Sequence, residues 1–170
     1  LFELLSEIDN ENASGEYYLT DIVAKAVAHG AVCKVVRCTE SETLGVNSRV
    51  DLAQAEYEFQ SQRRAEALKN GVTMPAPETV HFSFDTYIGR DAIVEQNVVF
   101  GPGVTVESGV RICAFSHLEG AHVSRGCVVG PYARLRPGAE LAEDVKIGNF
   151  VEIKASLLAE GAKVNHLSYI

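Results

Sequence analysis

From Ile88 onward the apolar positions keep a beat of six. Ile88, Val94, Phe100, Val106, Ile112 and Leu118 are spaced by six residues. One step of five leads to Val123, and sixes resume through Val129, Leu135, Leu141, Ile147 and Ile153. A second five leads to Leu158, followed by Val164 and Ile170. An α-helix repeats every 3.6 residues and an amphipathic strand every two, so neither gives this period. A short strand followed by a tight turn does, and hexapeptide repeats are the signature of a parallel β-helix. Each six then supplies one strand with its aliphatic residue pointing inward. Glycine often comes next, as in Ile88-Gly89, Phe100-Gly101, Val129-Gly130 and Ile147-Gly148, where it is expected to ease the bend.

The pattern before Tyr87 is different. Residues 1–46 read as mixed α/β. A helix tail ends near Asp9, and a polar loop runs from Asn10 to Glu16. Thr20 is placed to cap a helix carrying Ile22, Val23, Ala26 and Val27, which Gly30 stops. Val32 to Arg37 reads as a strand. Asn47 is placed to cap a long helix from about Ser48 to Lys69, ended by Gly71. Its thin apolar content suits a connecting arm better than a core helix. Met74-Pro75-Ala76-Pro77 then breaks regular structure.

Composition narrows the function classes. Hydrophobic residues make up 46% and charged residues 22%, enough for a buried core. The net charge of −8 and the lack of a Lys/Arg-rich run make nucleic acid and anionic membranes poor partners. No apolar run approaches the ~20 residues of a membrane span. The acidic N-terminus lacks the basic start of a signal peptide. Cys33, Cys38, Cys113 and Cys127 form no CxxC pair, which fits free thiols in a reducing cytoplasm. Leu1 is not an initiator Met and already sits in a helix-like pattern, so the chain is expected to begin inside a larger fold.

Chemistry gathers late in the chain. Arg136 follows Leu135 and Lys154 follows Ile153, 18 residues apart with no skip between them. If three hexads make one coil, the two cations stack on adjacent coils, ~5 Å apart. Stacked cations repel unless an anion lies beside them, and a sugar phosphate is one candidate. Pairing with Glu152, Glu143 or solvent is the other, and spacing alone does not choose. His166 lies two positions after Val164. An imidazole titrating near ~6.5 can take a proton from an attacking amine at neutral pH. A lone histidine on a β-helix is more often simply exposed.

Several stretches together resemble a known family. They are Asn-Ala-Ser-Gly-Glu-Tyr-Tyr-Leu-Thr-Asp (12–21), Gly-Val-Asn-Ser-Arg (45–49), Gly-Pro-Tyr-Ala-Arg-Leu-Arg-Pro-Gly-Ala (130–139), Gly-Asn-Phe-Val-Glu-Ile-Lys (148–154) and His-Leu-Ser-Tyr (166–169). In this order they resemble an internal part of the bacterial bifunctional N-acetylglucosamine-1-phosphate uridyltransferase / glucosamine-1-phosphate acetyltransferases. The resemblance implies a left-handed β-helix of about five coils over residues 72–170. It also implies a linker helix at 47–71 and the end of a nucleotidyltransferase domain at 1–46. It implies acetyl transfer from acetyl-CoA to glucosamine 1-phosphate. UTP and Mg2+ then convert the product to UDP-N-acetylglucosamine for the cell envelope. The enzyme would be a cytoplasmic homotrimer. His166 would be the general base, with Arg136, Lys154 and Tyr169 binding glucosamine 1-phosphate. Asn47 would help hold magnesium, and Glu16, Tyr17 and Thr20 would lie near the sugar pocket of uridyl transfer. The acetyl-CoA contacts are expected after Ile170 and the nucleotide loop before Leu1.

Two rivals remain at this point. One is a sugar-nucleotide pyrophosphorylase whose β-helix is purely structural. The other is a zinc enzyme resembling the hexapeptide-repeat carbonic anhydrases, using His117, His122 and His81.

Overall fold

The computed structural model describes all residues, Leu1–Ile170. They form two compact units, Leu1–Leu44 and Gly45–Ile170.

The first unit is built from short helices and turns. Helix α1 spans Phe2–Leu5, and a 3-10 turn at Leu19–Asp21 runs into helix α2, Ile22–Ala28. A second 3-10 turn covers Glu40–Thr43. Glu7 reaches His29 at 2.8 Å and Asp9 reaches Lys25 at 3.6 Å, tying the segment after α1 to α2. Gly30 takes the left-handed conformation (φ 77°) that ends α2. Thr20 does not cap this helix; it lies inside the 3-10 turn, and Asp21 holds the N-cap position. Val32–Arg37 is not a strand. It pairs with no neighbour, and strand backbone needs one for its N–H and C=O groups. The expected α/β character of this part is therefore absent: residues 1–44 contain no sheet and bury no side chain.

The second unit opens with helix α3, Arg49–Lys69. Its cap is Ser48, one residue later than expected. Ser48 Oγ accepts from the Asp51 N–H at 3.1 Å, and the Asp51 carboxylate accepts from the Ser48 and Asn47 N–H groups. The Asn47 hydrogen bond, then that of Ser48, holds the Asp51 carboxyl below its ordinary pKa. Nor is α3 a free arm. Gln60 is buried and lays its amide against Phe82 like a neighbouring strand, donating to the carbonyl at 2.6 Å and accepting from the N–H at 2.9 Å. Arg63 donates to Thr86 O and Arg64 to Val80 O. The helix is thus fastened by polar side chains, which its weak apolar stripe did not reveal.

Beyond it the chain winds into a parallel β-solenoid with three faces. The first face holds β1 (Tyr87–Ile88), β4 (Thr105–Val106), β7 (Ala121–Val123), β10 (Ala139–Leu141) and β13 (Leu157–Leu158). The second holds β2 (Ile93–Val94), β5 (Arg111–Ile112), β8 (Val128–Val129), β11 (Lys146–Ile147) and β14 (Lys163–Val164). The third holds β3 (Val99–Phe100), β6 (His117–Leu118), β9 (Arg134–Leu135) and β12 (Glu152–Ile153). Four complete turns result, with β13 and β14 beyond them. The expectation of about five coils is one too many.

Each of the fourteen strands ends on one of the predicted hexad positions. The two five-residue steps leave the register intact. Ile88 stands beside Val106 eighteen residues on, whereas Val106 stands beside Val123 after seventeen. From Val94 to Leu158 every hexad side chain is buried, forming one continuous core. The glycines after the hexad position serve close approach as much as bending. A Cβ on Gly89 would sit 2.5 Å from the Ser108 backbone nitrogen, and one on Gly148 3.0 Å from the Asn165 carbonyl carbon. Neither glycine has positive φ, so coil spacing excludes a side chain there.

The corner between the second and third faces is capped by stacked rings. Phe115 and Tyr132 lie 4.9 Å apart and nearly parallel, and Tyr132 and Phe150 lie 5.1 Å apart. Each takes positive φ, as does Leu167 in the turn above them. The four cysteines are free thiols, and burial pushes that of Cys127 up to about 11.

Candidate functional site

The third face and its two flanking corners collect the late candidates. Arg136 and Lys154 leave the corner toward the first face from neighbouring coils. Their strands pair Leu135 with Ile153, and the Arg136 N–H bonds to Ile153 O at 2.9 Å. Lys154 N–H bonds in turn to Ile170 O at 2.8 Å, so the next segment continues the same face. Tyr169 stands on that segment beside Glu152. His166 emerges from the opposite corner, in the turn that includes Leu167.

Alternation explains which side chains reach solvent. Leu135 and Ile153 point inward and are buried, so their neighbours Arg134, Arg136, Glu152 and Lys154 project outward. Up the face the outward column reads His117, Arg134, Glu152 and Tyr169. Lys154, His166 and Tyr169 are all exposed. The result is an open wall with an exposed imidazole at one edge and two cations at the other.

The two cations are not equivalent. Arg136 Nη1 donates to Glu152 Oε1 at 2.8 Å. That bond is the main reason the guanidinium holds its proton more firmly than usual, with the Glu152, Tyr169 and Glu119 charges adding to it. Lys154 forms no ion pair. The anion beside the stacked pair is thus Glu152, a residue the sequence offered only as an alternative partner. Its outward position opposite Arg134, one coil above, was legible from the eighteen-residue spacing.

The other candidates lie elsewhere. Glu16, Tyr17 and Thr20 belong to the first unit and are exposed. The Asn12 side chain shapes the loop before them, accepting from the Ser14 and Glu16 N–H groups and donating to Glu16 O. Asn47 precedes the α3 cap. The nearest carboxylate in sequence, Asp51, is committed to that cap, so Asn47 alone does not make a magnesium site within this chain. No group of three or more His, Cys, Asp or Glu side chains is arranged to hold a metal ion.

This chain does not by itself gather the three histidines of the zinc alternative. His117 lies on the third face and His122 on the first, across a corner. His122 approaches Glu107 at 3.3 Å, and His81 approaches Glu56 at 3.6 Å. A cleft of about 540 Å³ is lined by Glu56, Phe59, His81, Phe82, Phe84 and Phe100 among others, and His81 is the one sequence candidate in it.

Sequence relatives are close over the whole chain. The bifunctional protein GlmU of Ruegeria sp. (strain TM1040) is 68% identical over 170 residues, all of this chain and 38% of that protein. GlmU of Roseobacter denitrificans is 65% identical over the same 170 residues, again 38% of its length. Over its whole length the chain matches bifunctional GlmU proteins. GlmU of Jannaschia sp. (strain CCS1), at 61% identity, is likewise matched across the whole chain, which covers 37% of it. The chain therefore spans well under half the length of the GlmU relatives it matches. No family model matches. Among solved structures, the acetyltransferase domain of PglB from Neisseria gonorrhoeae FA1090 aligns over 64% of this chain and 62% of that chain, at 22% identity and a TM-score of 0.33. A mutant of perosamine N-acetyltransferase from Caulobacter crescentus, in complex with CoA and GDP-perosamine, aligns over 65% and 59%, at 18% identity and a TM-score of 0.37. No helix of the chain is long and apolar enough to cross a membrane.

Proposed function

We propose that this chain supplies the sugar-phosphate wall of a glucosamine-1-phosphate N-acetyltransferase. The observation that carries the reading is the gathering of Arg136, Lys154, Tyr169 and His166 around one face of the solenoid. Arg136 and Lys154 hold the phosphate, Arg through two donors of its planar fork and Lys as a point charge. Tyr169 contacts the sugar. His166 takes a proton from the amine as its nitrogen attacks the thioester carbonyl of acetyl-CoA. The new C–N bond forms as the C–S bond breaks, and the thiolate of CoA leaves and is protonated. Acetyl-CoA is a co-substrate, bound with residues other than those named here.

The whole protein is proposed to work as its GlmU relatives are named, as a bifunctional enzyme. Its second reaction joins N-acetylglucosamine 1-phosphate to UTP with Mg2+, giving UDP-N-acetylglucosamine and pyrophosphate. Residues 1–46 belong to that domain, residues 47–71 form the linker, and residues 72–170 belong to the acetyltransferase domain. Glu16, Tyr17 and Thr20 line its sugar pocket, and Asn47 adds one neutral oxygen to a magnesium ion whose other ligands come from elsewhere. A left-handed solenoid, a homotrimer and a cytoplasmic location complete the proposal.

The test transplants residues 1–170 into the matching stretch of the Ruegeria relative and follows CoA thiol release with glucosamine 1-phosphate. His166→Ala is expected to lower kcat by about 10²–10⁴-fold, with KM for the sugar phosphate little changed. Unchanged turnover in that variant would refute the base role. A second reading rests on the Arg136–Glu152 pair, which is complete without a ligand. It makes the solenoid a structural appendage of a pyrophosphorylase, and it requires that His166→Ala be silent.

A further inference from the structure

The charge balance of the wall draws in a residue that the motifs left without a role. Arg134 sits on β9, two residues before Arg136, with buried Leu135 between them. Arg134 therefore projects outward from β9 and Arg136 outward from the corner just past its end, about 7 Å away along the chain. Arg134 is exposed, pairs in register with Glu152 on the coil above, and forms no ion pair. Glu152 gives its carboxylate to Arg136 instead.

The cations of the wall are Arg134, Arg136 and Lys154. The carboxylates that act on Arg136 are Glu152 and Glu119. Those two acids cancel two of the three positive charges. A phosphate monoester carries about −1.5 to −2 at neutral pH. With Arg136 and Lys154 alone the wall would be neutral overall, a poor receptor for a dianion. Arg134 supplies the excess charge, on a side chain long enough to reach past one strand spacing of about 4.8 Å.

The geometry points to Arg134 as a specificity-determining residue that favours a phosphorylated amino sugar over the free one. The inference rests on the acetyltransfer reading. Arg134 meets the incoming phosphate and steadies it against Arg136 and Lys154, and Glu152 keeps Arg136 aimed. Its side chain lies on the exposed side of the strand, so its replacement leaves the fold intact.

The transplant described above tests this with Arg134→Gln and Arg134→Lys, assayed with glucosamine 1-phosphate and with glucosamine. Arg134→Gln is expected to raise KM for glucosamine 1-phosphate about 5–20-fold, with kcat within about twofold. Activity on unphosphorylated glucosamine should not change, and Arg134→Lys should recover most of the loss. The salt dependence of kcat/KM for the phosphorylated substrate should flatten in Arg134→Gln. A merely structural role would weaken both substrates alike. That outcome, or an unchanged KM for glucosamine 1-phosphate, overturns the inference while leaving His166 and acetyl transfer untouched. A transplant without acetyl-CoA-dependent turnover, before any change at Arg134, overturns the underlying reading and the inference with it.

Discussion

Valines make the contrast between the two parts of the chain concrete. Val32, Val35 and Val36 stand in a run with strong strand propensity, and each is 87–89% exposed. Val94, Val98, Val106 and Val110 are fully buried. The side chain is the same, so the difference lies in what stands beside it. In the solenoid each strand meets its partner seventeen or eighteen residues away along the chain. Every coil brings both the hydrogen-bonding edge and the apolar neighbour that the next coil needs. Residues 1–44 hold no such repeat, and none of their apolar side chains is fully buried. Propensity sets what a segment can become, and a partner decides whether it does so.

Substitutions separate the two regimes. Leu135→Ala removes a fully buried side chain from the middle of the stack. It should cost about 2–5 kcal/mol, read as a lowered midpoint of urea unfolding. In the 170-residue chain taken by itself, Val35→Ala in the first unit should change stability by no more than about 0.5 kcal/mol. Equal effects of the two changes would break the comparison.

Gln60 tests whether α3 belongs to the solenoid's stability or merely precedes it. Gln60→Ala leaves the N–H and C=O of Phe82 without their partners. A loss of about 2–3 kcal/mol is expected, with faster amide exchange at Phe82. Protection of that amide unchanged from the parent would mean that the helix contributes little.

A small, pH-dependent effect belongs to a surface pair. Glu95 accepts from Arg111 at 2.6 Å and from the Ala114 N–H at 3.0 Å, and the Arg111 hydrogen bond is the chief cause of its lowered pKa. A carboxyl with a lower pKa folded than unfolded stabilises the protein above its unfolded value, and that contribution fades as pH falls through the folded one. Glu95→Gln should therefore lose under about 1 kcal/mol at neutral pH. Its stability should converge on that of the parent as pH falls through the lowered folded-state value of Glu95. A gap that widens in acid would contradict the assignment.

The solenoid was legible in the sequence because its rule is local and repeated. Fourteen hexad positions became fourteen strand ends, and even the five-residue steps fell where the coils absorb them. The errors cluster where structure depends on a single contact. Ser48 rather than Asn47 caps α3 because Asp51 lies three residues after Ser48 and closes a reciprocal box. The buried face of α3 is a glutamine, which a search for apolar stripes passes over. Val32–Arg37 reads as a strand on composition, yet nothing pairs with it. The wall was legible in part. The eighteen-residue step put Arg136 under Lys154, but which of them a carboxylate would engage depends on side-chain reach. Arg134 lies within the same stretch as Arg136, but spacing says nothing of charge balance.

The account turns on where the phosphate of the sugar goes. A crystal structure of the transplanted protein with glucosamine 1-phosphate addresses this directly. The account predicts a phosphate within hydrogen-bond distance of both Arg136 and Lys154, with Arg134 beside it, the amine turned toward His166, and the Arg136–Glu152 pair retained. A sugar phosphate bound away from the third face, with Lys154 still in solvent, would contradict it.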